Sequence, residues 1–377
     1  MRQEVRSCSR PLNIINRIDA SIDLDSIASS IGYAFLFAND SKIVPLIQTP
    51  LDSLQLRPEN MDAFEAASLD PSSLLTSSDI PPAPAPQPCR FALVDHNRLL
   101  SSFTGEVVGI IDHHEDEGLH TTAKPRIIKP VGSSASLVTL QFRSTLESGS
   151  TEQFKDVAVL LLSAILIDTG ALKPKGKAIE EDYQAAQLLM PLTGLETDAE
   201  SIAEDGSHIP APLQAYFEAL SFAKGSVGHL STRDLLRRDY KQYDYSTGTR
   251  GGLATVPIKL EPWHERNIDE FWEGVDAWME ERKLHILGIL TTYKSAKKGK
   301  SRRQSVWVVR GEGNESDRLA DSLFKGIEQS ELQVEDIGKL KGQKKRRVRV
   351  YQHTNTHPTR KAVAPLVQKI VEESKEE

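Results

Sequence analysis

The sequence is poor in cysteine: Cys8 and Cys89 are the only two in 377 residues. Neither lies near a second Cys or a His at zinc-finger spacing, which argues against a disulfide scaffold and a structural zinc site and fits a reducing compartment. Long apolar runs are also lacking. The longest, residues 157–167 (VAVLLLSAILI), is too short to span a bilayer. The opening MRQEVRSCSRP has no apolar stretch of the secretory kind, and its Glu4 and shortness fit a mitochondrial address poorly. The expectation is a soluble cytoplasmic protein with no membrane partner. An excess of positive charge is missing too: the net charge is −7, so the whole molecule is not a basic nucleic-acid coat and no specific nucleic-acid partner is expected. No internal repeat is visible.

What is present is a globular balance, 39% hydrophobic and 26% charged residues, over a length that predicts two or three domains. The first half alternates short apolar runs with helical stretches. Residues 26–37 read as a buried helix and 42–47 as a strand. Residues 91–94, 107–111 and 157–167 are strongly apolar, the last with room for a helix before a strand. This β–α alternation predicts an α/β fold with a parallel sheet covered by helices on both faces. Residues 72–88, with PPAPAPQP, read as an extended surface loop. Residues 192–211, polar and ending near Pro210 and Pro212, read as a junction, so the division expected is 1–205 and 206–377. The second part reads as a smaller α/β domain: a helix over 268–283 with Phe271, Val275 and Trp278 on one side, strands over 284–293, 306–310 and 347–352, and a helix over 362–371. Gly251-Gly252 reads as a turn. Residues before Asp19 make a poor buried strand, because Asn13, Asn16 and Arg17 lie inside it.

Acidic residues end the apolar runs. Asp19, Asp23 and Asp25 follow the first, Asp95 and His96 follow FALV, Asp112, His113 and His114 follow VVGII, and Asp168 follows LLLSAILI. In an open parallel sheet, ligands bind beyond the carboxyl ends of the strands. One such Asp ordinarily caps a helix. Four at the same topological position form a set of like charges that repel unless cations lie between them. Mixed carboxylate and imidazole ligands suit Mg, Mn, Co or Zn. Several carboxylates with one or two His point to two divalent ions about 3.5–4 Å apart, an arrangement that hydrolyses phosphate esters and anhydrides.

These residues carry a resemblance. IDHH (111–114) resembles the signature of the DHH phosphoesterase superfamily. IDASIDLDS (18–26), LVDHN (93–97), VGSSASLV (131–138) and AILIDTGALK (164–173) resemble its other motifs in order. LLRRDYKQY (235–243) and TRKAVAPL (359–366) resemble the DHHA2 companion domain. LRPEN (56–60) resembles the exopolyphosphatase subgroup, so the nearest likeness is to fungal exopolyphosphatases and their animal relatives, the prune proteins; family II pyrophosphatases resemble the chain more distantly. The resemblance implies an active site in the cleft between the two domains. It implies that Asp23 binds a first metal and Asp25 a second, that Asp95 bridges both, and that His113 and Asp168 complete the second. It implies that His114 faces the substrate phosphate, and that Lys241, Arg360 and Lys361 hold phosphate oxygens. Asp239 is expected to orient Lys241 or support the domain interface. Asp19 departs from the resemblance: it stands where exopolyphosphatases carry Asn and pyrophosphatases His, and a carboxylate there favours a hard ion on the first metal.

The activity implied is a metal-dependent exopolyphosphatase acting on inorganic polyphosphate with Mn, Mg or Co. The rival readings are a pyrophosphatase, a phosphodiesterase for cyclic nucleotides or short oligonucleotides, and a weakly active prune-like binding protein. Two basic stretches in the second half, Lys294, Lys297, Lys298, Lys300, Arg302, Arg303 and then Lys339, Lys341, Lys344, Lys345, Arg346, Arg347, offer steering for a polyanion or are ordinary solvated loops. Gly132-Ser133-Ser134 reads either as a helix N-terminus that meets phosphate or as a plain cap.

Overall fold

The computed structural model describes residues 13–16, 23–37, 43–79, 89–100, 103–195, 202–203, 207–295, 300–311, 313–344 and 346–374. The chain divides into two compact units, Met1–Lys224 and Gly225–Glu377. The helix Ala211–Gly225, which follows the expected junction, packs Leu213 and Leu220 into the core of the first unit. Among the described residues, no helix is long and apolar enough to cross a membrane.

The first unit is built on a six-stranded parallel sheet. Its strands are β1 (Asn13–Asn16), β2 (Ile43–Ile47), β3 (Leu75–Thr76), β4 (Cys89–Val94), β5 (Gly105–Asp112) and β6 (Arg126–Ile128). Their order is β3-β2-β1-β4-β5-β6. The polar segment β1 is nonetheless central. Its backbone pairs with β2 on one side and β4 on the other, and ladder bonds do not depend on side-chain polarity. Alternation along the strands sends Ala92, Val94 and Ile111 into one cluster and Phe91, Leu93 and Ile110 into another. The helices Leu24–Leu36, Pro58–Ala66, Ser134–Gln141, Thr151–Thr169 and Glu180–Leu189 contribute to the first cluster. The sequence leads one to expect helices on both faces. Among the described residues the second cluster is completed instead by Leu99, Phe103 and Ala123 from connecting loops.

The Thr151–Thr169 helix occupies residues that read as a run toward a strand end. It is buried around most of its circumference, from Val157 through Leu166, so its pattern is a continuous apolar run with no period to separate helix from strand. Asp168 therefore stands in the last turn of a helix and not at the end of a strand. The Leu24–Leu36 helix crosses close by, with Gly32 so near that an added Cβ would lie 2.8 Å from Leu161 Cδ2.

The second unit holds a six-stranded mixed sheet. Its strands are β7 (Tyr240–Asp244), β8 (Arg250–Val256), β9 (Ile286–Lys294), β10 (Ser301–Val309), β11 (Val334–Asp336) and β12 (Arg347–His353). Their order is β11-β12-β10-β9-β8-β7, with only β8 and β9 parallel. The helices Gly313–Glu328 and Arg360–Glu373 cover one face through Leu323, Ile327, Val363 and Val367. Thr232–Arg238 packs on β8 and on Ile268–Glu281, whose Phe271, Val275 and Trp278 are buried as their spacing predicts. Gly251 and Gly252 are a correction: they lie inside β8. The rings of Tyr245 and Tyr240 fill the space a Cβ would take, at 2.7 and 2.6 Å.

Candidate metal centre

β4 and β5 run parallel and end side by side, and the amide of Asp95 donates to Ile111 O at 2.9 Å. That register sets Asp95 beside the two histidines that follow Asp112. Asp95 is buried and has a left-handed backbone, φ 65°, a conformation Asp tolerates better than most residues. It lies 3.2 Å from His113 Nε2 and 3.7 Å from His114 Nδ1. Donor atoms of Asp95, His113 and His114 all fall within 4.8 Å of one another.

Each ring is aligned by a group behind it. His113 Nδ1 donates to Val131 O at 3.1 Å, which leaves Nε2 facing Asp95 and, at 3.9 Å, Asp25. A backbone carbonyl behind one ring nitrogen is how metal-binding imidazoles are commonly oriented. Burial opposes charge on His113, but the carboxylates of Asp95 and Asp25 overcome it and raise its pKa to about 10. His114 is more exposed. Its Nδ1 and its amide both contact Asp112 Oδ1, at 2.9 and 3.1 Å. Asp112 is fully buried and also accepts from Asn97. Burial would raise its pKa, yet the hydrogen bonds from His114 and Asn97 hold it below the usual range. With Nδ1 committed to Asp112, His114 has its Nε2 left for another partner. His96 is buried and bonds Val94 O through Nδ1.

The other carboxylates come from helix ends. Asp23 caps the Leu24–Leu36 helix and accepts from the amide and hydroxyl of Ser26. The Ser26 hydroxyl also bonds Asp95. Asp25, in the first turn, accepts from Ser133 Oγ, Ser134 N and Ala135 N at 2.7, 2.7 and 2.8 Å. The Gly-Ser segment thus gives these donors to a carboxylate of this chain. Asp168 lies at a helix C-terminus, where the dipole disfavours an anion. Desolvation, then the charges of Asp25, Asp23 and Asp95, push its carboxyl well above the usual range. Lys224, at the end of the Ala211–Gly225 helix, supplies a countering positive charge.

The donor set fits hard or borderline divalent cations. Carboxylates crowd together at the cost of mutual repulsion, and an oriented imidazole faces them. Asp19 lies outside the described residues. Lys241, Arg360 and Lys361 belong to the second unit. Lys241 is on β7, half-buried, while Arg360 opens the last helix and Lys361 is exposed. Asp239 bonds Arg360, through its carboxylate at 2.6 Å and its carbonyl at 3.0 Å. Sequence reading left Asp112 and Lys224 without roles. A DHH motif names Asp112, but nothing local marks Lys224, which reaches Asp168 only through the fold.

The DHHA2 domain family matches residues 218–370. The "Putative exopolyphosphatase" of Schizosaccharomyces pombe is 30% identical over 370 residues, covering 92% of this chain and 88% of that protein. The chain belongs to the DHH–DHHA2 phosphoesterase family. The "Probable manganese-dependent inorganic pyrophosphatase" of Archaeoglobus fulgidus is 29% identical over 273 residues, 69% of this chain and 76% of that one. The fold is also shared with the solved structure titled "Crystal structure of Methanococcus jannaschii putative family II inorganic pyrophosphatase". That match has a TM-score of 0.56 at 20% identity and covers 96% of this chain and 99% of the other.

Proposed function

We propose that this protein is an exopolyphosphatase that hydrolyses the terminal phosphate of inorganic polyphosphate with two divalent cations, Mn, Mg or Co. The observation that carries this reading is the buried Asp95 set against His113 and His114, with Asp23, Asp25 and Asp168 crowded around it. In this reading Asp19 and Asp23 would help hold one ion and Asp25, His113 and Asp168 the other, with Asp95 available to both. Such ions supply a nucleophilic water at neutral pH and offset charge on the phosphoryl group. His114, fixed by Asp112, presents its free nitrogen to a phosphoryl oxygen. Arg360, held by Asp239, offers a planar fork to phosphate, and Lys241 and Lys361 act as point charges. The departing chain is itself a stable anion and needs little help from an acid.

The test is phosphate release from long-chain polyphosphate and from pyrophosphate with Mg, Mn or Co, in the wild type and in Asp95→Ala. Release from polyphosphate should fall more than about a hundredfold in the variant, beyond what loss of an outer partner of a metal ligand costs. Preference for pyrophosphate would move the reading to a pyrophosphatase. A folded wild type that releases phosphate from neither would overturn the enzyme reading.

A further inference from the structure

The segment 131–136 is held twice over. On one side it serves the metal centre: Val131 O orients His113, and Ser133 Oγ, Ser134 N and Ala135 N hold Asp25. On the other side it is gripped by a carboxylate with no motif of its own. Asp182, in the first turn of the Glu180–Leu189 helix, is 0% exposed. It accepts from Gly132 N at 2.9 Å, Ser133 N at 3.3 Å, Ser136 Oγ at 2.6 Å and Ile179 N at 2.9 Å. Its four partners all belong to this chain, so the carboxylate is spent on holding backbone.

The packing leaves this segment little room. A Cβ on Gly132 would lie 2.7 Å from Asp182 Oδ2 and 2.6 Å from Thr169 Cγ2. Thr169 directly follows Asp168, so one close contact joins the segment behind Asp25 and His113 to the helix end that bears Asp168. A buried carboxylate deprived of partners, or N–H groups deprived of theirs, each carry a large penalty, which makes this arrangement stiff.

We propose that Asp182 is a positioning residue for the metal centre: by locking Gly132 and Ser133 it sets where Asp25 and His113 present their ligand atoms. The inference rests on reading those residues as metal ligands. Asp182→Asn would turn an amide N–H toward donors that need an acceptor. Outer partners of metal ligands ordinarily contribute ~10–100-fold in metal affinity.

The experiment measures Mn²⁺ dissociation constants by electron paramagnetic resonance of free Mn²⁺, on the full chain. Variants are Asp182→Asn, the milder Ser136→Ala, which removes one bond to Asp182 and none to Asp25, and Leu323→Ala, a core truncation in the second unit. Folding is followed by circular dichroism. Expected are a ~10–100-fold loss of affinity in Asp182→Asn, a smaller loss in Ser136→Ala, and unchanged affinity in Leu323→Ala despite its lower stability. If Asp182→Asn does not fold, Ser136→Ala decides alone. Wild-type affinity in a folded Asp182→Asn, or in Ser136→Ala, overturns the role of Asp182. A wild type that binds no Mn²⁺ overturns the metal reading as well, so the two failures are distinct.

Discussion

Single residues in this molecule do different work according to what stands behind them. Asp112 is the first residue of the DHH signature, yet it lies fully buried with its oxygens committed to His114 and Asn97. Its task is to aim a ring. Asp112→Asn should therefore lower kcat by ~10–100-fold with Mn²⁺ content unchanged, as read by steady-state kinetics and metal analysis; a matching loss of bound metal would make Asp112 a ligand instead. His353 on β12 shows the converse case of a histidine kept neutral. Burial, then the charge of Arg303, lowers its pKa to about 4, and its Nε2 pairs with Ser305 Oγ at 2.9 Å. Above pH 6.5 the ring is neutral folded or unfolded. As pH falls below 6.5 only the unfolded chain takes up the proton, so native stability is lost down to about pH 4. The loss from this group between pH 7 and 5 is about 2 kcal/mol. Urea unfolding at both pH values should show the second unit losing this stability in the wild type and retaining it in His353→Gln.

At the scale of elements, the helix that carries Asp168 ends at Gly170, which is left-handed at φ 65° with open space where a Cβ would go. Its replacement thus tests backbone conformation alone. Gly170→Ala should cost about 1 kcal/mol and Gly170→Asn less, measured by the shift in denaturation midpoint. An unchanged midpoint in the alanine variant would mean that the helix end relaxes. The same helix shows what sequence patterning does and does not carry. Residues 268–281 announce their helix because one face is apolar and the other polar, and β9, β10 and β12 announce themselves by apolar runs or alternation. The Thr151–Thr169 helix is enclosed nearly all round, so its sequence has no polar face to reveal a period. Gly251-Gly252 reads as a turn because glycine breaks strands, whereas here it makes room for two tyrosine rings drawn from neighbouring segments. Asp23, Asp25, Asp95, His113 and Asp168 could be read as candidates because each adjoins a strand or helix end within a short motif. Asp182 and Lys224 were not, since each meets the centre only after distant segments have packed.

At the scale of the whole molecule, the charge is −7, and a polyanionic substrate must be captured against it. The two basic stretches that invite such a role are unequal once folded. Arg346 pairs with Asp276 and stacks on Trp272, Arg347 pairs with Asp317, and Lys341 pairs with Glu265. His264 and Trp272 both bond Lys341 O, at 2.8 Å, and pin that loop to the helices behind it. Lys341, Arg346 and Arg347, half of the second stretch, are thus paired, and Lys345 lies outside the described residues. In the first, Arg303 is also inward, bonding Thr356 O and Thr292 Oγ1. Lys294, Lys300 and Arg302 carry no ion pair among the described residues, and their side chains remain exposed or nearly so. Unneutralised surface charge steers a polymer at low salt and fades as the Debye length shrinks. Replacing Lys294, Lys300 and Arg302 together by Ser should raise KM for long-chain polyphosphate several-fold, about three to tenfold, at low ionic strength. The difference should vanish in high salt, and KM for pyrophosphate, which carries far fewer charges for such a patch to attract, should change less. Arg346→Ser should do the reverse, lowering the melting temperature with KM unmoved. Equal KM for long-chain substrate in the triple variant and the wild type at low salt would assign capture to Lys241, Arg360 and Lys361 alone.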